Sequence, residues 1–225
     1  MITFSAFTGA GVAMGLGAMG AAIGEGYTAG EANTAISRNP DISGDIFKNM
    51  LVGQAVAESA SIFALVVAIL MLFLDVPTDN LLKGAALFGA GLCMGFGAVG
   101  SGVGSGFPGG QACLGISRQP AAASRLTTGM LIGSAVCQTP AIFSMVIALM
   151  LIFMDFSHLP LAPTWAAILG AGLSTGLAAI GSGYGGGLAA GASCEGISRQ
   201  PESAGNETTV MLVGQAVAQT PSIIG

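Results

Sequence analysis

The segment from Ile46 to Leu74 is apolar along almost its whole length and holds one acidic side chain, Glu58, near its middle. A run of about 20 apolar residues crosses the hydrocarbon core of a bilayer, which is about 30 Å thick. A carboxyl group at that depth is unfavourable without a partner, so an acid inside a span is a functional candidate. The segment therefore predicts a membrane-spanning helix with Glu58 as its functional residue. The alternative is an acid that snorkels towards the membrane surface or caps a polar gap.

The composition of the whole chain agrees with a membrane protein. Of 225 residues, 52% are hydrophobic and 8% are charged, whereas soluble domains have about 25% charged residues. The net charge of −5 arises from only eleven acids and six bases, and no basic stripe indicates a nucleic-acid partner. The N-terminus lacks the basic region of a signal peptide, so we expect the first helix to act as its own insertion signal.

A motif of Ser, Arg, Asn or Gln, and Pro occurs three times, and its arginines are separated by 80 and 81 residues. The flanking sequences repeat in the same register, as in Val52–Ser59, Ile132–Thr139 and Val213–Thr220. We therefore predict three tandem helical hairpins, over residues 1–76, 77–159 and 160–225. The second span of the third hairpin stops at Gly225, so we expect the natural protein to continue beyond it.

Each predicted hairpin has two different spans. The first span is rich in glycine, and the second hairpin keeps all eight glycines found in the first span of the first hairpin. Small residues let membrane helices approach closely, which predicts tight neighbours on both sides of each glycine-rich helix, as in an inner ring. The second span is richer in Ile, Leu, Val, Met and Phe, as expected of an outer, lipid-facing helix. The predicted fold is an all-α membrane protein made of tandem transmembrane hairpins that form part of a ring.

Basic residues predict how the chain lies in the membrane. Five of the six lie near the three turns, and only Lys83 lies at the other end of the spans. Cytoplasmic segments carry the excess of Lys and Arg, so we expect a multi-pass protein of the cell membrane with these turns in the cytoplasm. The four cysteines are expected to be packed small residues, and His158 a solvated loop residue.

Two carboxyl groups are expected at one depth of the first hairpin. Glu25 lies 16 residues before Asp41 in the turn, and Glu58 lies 17 residues after it. With a rise of about 1.5 Å per residue, both lie about 25 Å from the turn. Two such groups do not both ionise in a dry hairpin, so one stays protonated or a cation lies between them. The Ser59 hydroxyl and the Val56 carbonyl are candidate further ligands; Na⁺ and H⁺ both stay open.

The other two hairpins lack this acid pair. Ser105 and Gly186 stand at the position of Glu25, and Gln138 and Gln219 stand at the position of Glu58. Glutamine carries no exchangeable charge, so we predict one ionisable site for three hairpins. The two glutamines are expected to form hydrogen bonds across helices; passive binding of a water molecule or an ion is the alternative.

The segment Ile23–Leu70 resembles the ring-forming c subunit of Na⁺-translocating F-type ATP synthases. The resemblance rests on the GxGY motif from Gly24 to Tyr27, the Arg-Asn-Pro turn and the sequence GQAVAES from Gly53 to Ser59. The hairpin pattern extends over essentially the whole chain. Fusion of several hairpins in one chain is similar to V-type proteolipids, so the chain resembles a hybrid rotor subunit.

The resemblance implies roles for individual residues. Glu58 is the ion-binding carboxylate, and Glu25 is protonated and donates to it. The Val56 carbonyl and the Ser59 hydroxyl are further ligands that the family takes from the neighbouring hairpin. The Glu58 site is then completed either by Val136 and Thr139 or by another ring subunit. Phe63 stands where many Na⁺ rings have a tyrosine, which leaves the choice between Na⁺ and H⁺ open.

The resemblance also implies partners and a mechanism. The partners are other ring subunits of the same or a different kind, membrane lipid, an a subunit with a stator arginine, and the central stalk. The stalk contacts the turns Arg38, Asn39, Pro40, Arg118, Gln119, Pro120, Arg199, Gln200 and Pro201. The protein is not itself catalytic and needs no organic cofactor. Glu58 releases its ion to one half-channel and reloads from the other as the ring rotates, with few ions per turn.

Other functions fit the sequence less well. A glycine-zipper pore or structural membrane oligomer explains the glycines but gives no reason for Glu25 and Glu58 at one depth. A secondary transporter would be expected to show inverted repeats or broken helices, whereas these repeats are parallel and only the first holds the acid pair. No constellation of nucleophile, base or metal ligands indicates an enzyme.

Overall fold

The computed structural model of this chain describes residues 2–74, 81–156 and 158–225. These residues form helices and turns and contain no strand, which confirms the predicted all-α fold. Five segments are long and apolar enough to cross a membrane: Thr3–Arg38, Pro40–Phe73, Leu81–Arg118, Pro120–Phe153 and Leu161–Arg199. The α-helices are α1 (Ile2–Arg38), α2 (Ser43–Phe73), α3 (Leu81–Arg118), α4 (Ala123–Cys137), α5 (Thr139–Phe153), α6 (Leu161–Arg199) and α7 (Ala204–Ile224).

The three repeated turns have the same backbone structure. In the first, α1 ends at Arg38, Asn39 leaves the helical region with φ −144° and ψ 83°, and Pro40 starts one turn of 3-10 helix. Proline disfavours helical geometry in the residue before it, and its own fixed φ suits the first turn of a new helix. The same pattern follows Arg118 and Arg199. Each Arg-(Asn/Gln)-Pro sequence therefore reverses the chain between two long helices.

The glycine-rich helices α1, α3 and α6 form one row, with α3 packed between the other two. Glycine allows the backbones of this row to touch. A Cβ atom added at Gly106 would lie 2.6 Å from the Cα of Gly24, and one added at Gly102 would lie 2.7 Å from the backbone nitrogen of Ala21. Carbon atoms in ordinary contact are about 3.5–4.0 Å apart. Any larger residue would therefore push α1 and α3 apart.

The helices α2, α4, α5 and α7 form a second row that covers one side of the first. These helices pack more closely on the glycine-rich row than on one another. The outward side of α2 exposes large apolar residues, including Ile62, Leu65 and Ile69. An exposed apolar surface of this kind is suited to contact with the hydrocarbon core of a bilayer.

The outer span of the second hairpin is interrupted, which the sequence analysis does not predict. It consists of α4 and α5, which meet at Gln138. Pro140 lacks the N–H group that would bond to the carbonyl of Val136 four residues earlier. The N–H of Ala141 donates instead to the Ser101 hydroxyl, at 3.0 Å. The interruption therefore frees backbone groups for bonds between helices.

The predicted hairpin boundaries fall between helices or outside the described chain. The boundary between residues 76 and 77 lies outside the described residues. The boundary between residues 159 and 160 lies in the connection from α5 to α6. At that end of the spans, Lys83 of α3 donates to the carbonyls of Ile152 and, at 3.0 Å, Met154. A cation near a helix C-terminus is favourable, so Lys83 ties α3 to the end of α5.

Candidate ion-binding site

Glu25 on α1 and Glu58 on α2 lie within the same hairpin and are close enough to interact electrostatically. Glu25 is partly buried, whereas Glu58 lies at the exposed edge of the hairpin. The side-chain amide of Gln54 donates to the Glu25 backbone carbonyl at 3.2 Å, which joins the two helices at this level. Both acids lie inside candidate membrane spans. The structure thus brings together the two carboxyl groups that the sequence places at one depth.

Val56 and Ser59, the other two candidate ligands, have different partners. The Ser59 hydroxyl donates to the Ala55 carbonyl of its own helix at 3.3 Å. The Val56 carbonyl accepts a hydrogen bond from Gln138 of the second hairpin at 2.9 Å. The Val56 carbonyl therefore takes part in the junction between the first and second hairpins.

Gln138 is the centre of the junction between the first and second hairpins. Its side-chain nitrogen Nε2 also donates to the Ser105 hydroxyl at 2.7 Å, and this hydroxyl donates to the Ser101 carbonyl at 2.7 Å. Gln138 is 7% exposed, and within the described parts of the chain its oxygen Oε1 has no hydrogen-bond partner. Ser105 and Gln138 thus occupy in the second hairpin the positions of Glu25 and Glu58.

The junction between the second and third hairpins repeats this arrangement. The Nε2 atom of Gln219 donates to the Val136 carbonyl at 2.8 Å, and the Thr139 hydroxyl donates to the same carbonyl at 2.8 Å. Gly186 occupies the position of Ser105, so this junction lacks the second hydroxyl. Because Val136 already accepts from Gln219, it lies on a different junction from Glu58.

The residues of the three turns lie at one end of the molecule. Arg38, Arg118 and Arg199 are exposed, and Arg199 forms an ion pair with Glu195 on its own helix. The Asn39 side chain donates to the Ser117 carbonyl at 3.4 Å, so adjacent turns are in contact. The other residues of the predicted stalk-contact set, Pro40, Gln119, Pro120, Gln200 and Pro201, occupy the same turns.

Several hydrogen bonds between hairpins involve residues for which the sequence predicts no such contact. The Gln111 amide donates to the Tyr27 hydroxyl at 3.0 Å, and the Thr127 hydroxyl donates to the Asn49 oxygen at 2.9 Å. The Thr28 hydroxyl donates to the Gly106 carbonyl at 3.1 Å. These residues are polar positions within apolar spans, and that was the available sequence signal.

Cysteine and histidine are not brought together. All four cysteines are buried, and none of them forms a disulfide. Within residues 2–74, 81–156 and 158–225, no cluster of three or more His, Cys, Asp or Glu side chains forms a metal-binding group. The acid pair of the first hairpin is thus the arrangement of charged groups within the described spans that most needs a functional explanation.

Comparisons with known proteins fit the three hairpins. The profile of the family of ATP synthase C subunits matches residues 8–71, 88–151 and 169–225. The ATP synthase c subunit of Natranaerobius thermophilus is 51% identical over 65 residues, which are 29% of this chain and 74% of that protein. The ATP synthase c subunit of Dehalococcoides mccartyi is 53% identical over 64 residues, 28% of this chain and 84% of that protein.

A third relative, the ATP synthase c subunit of Petrotoga mobilis, is 48% identical over 65 residues, 29% of this chain and 68% of that protein. Each of these alignments spans the length of about one hairpin, whereas the family profile is matched three times along the chain. With its helical hairpins and repeated turns, this chain belongs to the family of ATP synthase C subunits.

Proposed function

We propose that this chain is a rotor-ring subunit of a rotary F-type ATP synthase or ATPase. It moves Na⁺ or H⁺ across the cell membrane by reversible binding at Glu58, coupled to rotation of the ring. The observation that carries the proposal is the pair Glu25 and Glu58, two interacting carboxyl groups inside the spans of a member of this family. The relatives are named as subunits of ATP synthases, which supports a non-catalytic role within a complex.

Glycines without neighbours on α1 and α6, at the two ends of the glycine-rich row, support assembly with other ring subunits. Gly26 of α1 corresponds to Gly106 of α3. A Cβ atom at Gly26 would meet nothing within 4 Å, whereas one at Gly106 would contact Gly24. Gly170 and Gly181 on α6 are open in the same way. The face of α6 therefore fits the face of α1 on another copy of the chain, as α1 fits α3.

This assembly completes the Glu58 site with oxygen atoms from the third hairpin of the next copy. Val217 corresponds to Val56 and Val136, and Thr220 corresponds to Ser59 and Thr139. Val217 is 69% exposed. Pro221, four residues later, has no N–H group to bond its carbonyl. The ligands of the transported ion are then the Glu58 carboxylate, with a protonated Glu25 donating to it, the partner's Val217 carbonyl and the partner's Thr220 hydroxyl.

The remaining partners follow from the ends of the helices. The exposed arginines of the three turns contact the central stalk on the cytoplasmic side. A stator arginine of the a subunit opens the Glu58 site, so that its ion leaves to one half-channel and another enters from the second. Facing lipid, the bound ion neutralises the carboxylate, because a bare charge in hydrocarbon is strongly unfavourable. One site for three hairpins means few ions per turn, which favours ATP-driven pumping.

Carbodiimide labelling of the purified ring, with and without Na⁺ and located by peptide mass, tests the proposal. Labelling at Glu58 that Na⁺ suppresses is the result expected of a Na⁺ rotor. Labelling at Glu58 that is the same with and without Na⁺ indicates H⁺ as the transported ion. The control variant Glu31→Gln removes another acid of α1 and should leave Glu58 labelling unchanged. An intact ring without labelling at Glu58 would refute the rotor function and support a passive glycine-zipper pore.

A further inference from the structure

We infer that the side-chain amides of Gln138 and Gln219 take the place of the transported cation at the two hairpin junctions inside the chain. They hold these junctions closed and neutral without an ion. This inference deepens the proposed function and rests on it, because it concerns the positions that correspond to Glu58.

The two junctions share one hydrogen-bond geometry. At the first, Nε2 of Gln138 donates to the Val56 carbonyl at 2.9 Å. At the second, Nε2 of Gln219 donates to the Val136 carbonyl at 2.8 Å. Donors and acceptors are equivalent in the repeat. A carbonyl oxygen attracts an N–H group along the same lone pairs with which it replaces the water shell of an ion. The amide nitrogen therefore sits where a cation bound to the carbonyl would be.

The third equivalent pair consists of Glu58 and the Val217 carbonyl. Its two members lie in the first and the third hairpin, so they do not meet within one chain. Glu58 lies at the exposed edge of the first hairpin, and Val217 is exposed at the edge of the third. A glutamine is thus present where both halves of a junction belong to one chain. A carboxyl group is present where the other half must come from another chain. This distribution separates two permanent junctions from one that exchanges an ion.

Pro140 makes the Val136 carbonyl available as the hydrogen-bond acceptor at the second junction. Its missing N–H releases the Val136 carbonyl from the helical ladder, and that carbonyl accepts from Thr139 and Gln219 instead. The amide is covalently part of the chain, so a stator arginine does not displace it as it displaces a free ion. It is also uncharged, which avoids the penalty of a buried charge. The three hairpins then rotate as one unit.

The first junction has more oxygen atoms available to a cation than the second. Ser105 contributes a hydroxyl that touches Gln138 at 2.7 Å, whereas Gly186 at the second junction has no side chain. Replacing the amide nitrogen by a carboxylate oxygen removes the internal donor and leaves the other oxygens in place. In the variant Gln138→Glu the first junction should therefore close only with a bound cation or proton, which the natural chain does not need. The variant Gln219→Glu should bind this cation or proton more weakly.

The test uses the purified ring carrying Gln138→Glu, Gln219→Glu or Gln138→Leu. The control Asn206→Asp adds a carboxyl group at an exposed position of α7. Carbodiimide labelling and thermal dissociation of the ring are measured with and without Na⁺. We expect position 138 in Gln138→Glu to be labelled and to respond to Na⁺ by the same factor as Glu58. The effect should be smaller at position 219 and missing in the control.

The variant Gln138→Leu keeps the inference testable if Gln138→Glu does not assemble. Without a donor to the Val56 carbonyl, its ring should dissociate at a lower temperature, and Na⁺ should not restore it. A Gln138→Leu ring as stable as the natural ring overturns the inference. The inference is also overturned if, in an intact Gln138→Glu ring, labelling at position 138 responds to Na⁺ differently from labelling at Glu58. Absence of labelling at Glu58 itself refutes the proposed function, and with it this inference.

Discussion

Alanine substitution at two equivalent glycines tests the close packing of the glycine-rich row, which consists of α1, α3 and α6. Gly106 on α3 and Gly26 on α1 hold the same position in successive repeats. A Cβ atom at Gly106 would lie 2.6 Å from the Cα of Gly24 and 2.8 Å from its carbonyl carbon, whereas one at Gly26 would meet nothing within 4 Å. The two variants make the same chemical change in two different surroundings.

The expected magnitudes follow from these distances. Carbon atoms normally approach to about 3.5–4.0 Å, so the added methyl group at position 106 is about 1 Å too close to the backbone. Overpacking of this kind costs about 1–3 kcal/mol, and the upper value applies because backbone atoms have no rotamer to change. Because alanine has a higher helix propensity than glycine, the substitution also stabilises the helix by up to about 1 kcal/mol at either position. We therefore expect Gly106→Ala to destabilise the chain by about 2 kcal/mol and Gly26→Ala to stabilise it slightly.

Unfolding of the chain in detergent, followed by far-ultraviolet circular dichroism against increasing dodecyl sulfate, measures the difference. The propensity contribution is common to both variants, so their difference of about 3 kcal/mol isolates the packing contribution. Equal shifts in the two variants would refute the close contact between α1 and α3. In the assembled ring Gly26→Ala should lower the dissociation temperature, because there Gly26 faces α6 of the next copy.

Three further changes give smaller or local effects. Thr28→Val should destabilise the chain by about 0.5–1.5 kcal/mol through loss of the bond to Gly106, while Thr34→Val, whose hydroxyl bonds only within its own helix, should change little in the same denaturation assay. Pro140→Ala should join α4 and α5 into one helix and stabilise it by less than about 3 kcal/mol, seen as slower amide exchange at residues 139–142; unchanged exchange would contradict the explanation of the break. Arg125→Ala removes an exposed ion pair with Glu202 at 3.1 Å and should cost at most about 1 kcal/mol; a loss above about 2 kcal/mol would show that this contact is more than a surface pair.

The features that depend on residues near one another along the chain could be predicted from the sequence. The apolar segments and the proline-bearing turns predicted long helices and chain reversals, and the structure confirms the all-α fold. The proximity of Glu25 and Glu58 follows from counting residues from one turn, because a regular helix has a fixed rise. The break at Gln138 was missed, although Pro140 was a visible signal. Pro221 at the equivalent position lies inside a continuous α7, so proline alone does not predict the break.

The partners of the site residues required the tertiary structure. The sequence showed that Val56 and Ser59 adjoin Glu58 along α2, and left open which hairpin each oxygen serves. The contact of Val56 with Gln138 joins residues 82 positions apart and depends on how one hairpin packs on the next. Glycine sets this packing by allowing backbones to touch. The sequence alone thus determined the long apolar segments, the turns that join them and the number of acids, while packing between repeats decided which carbonyl meets which side chain.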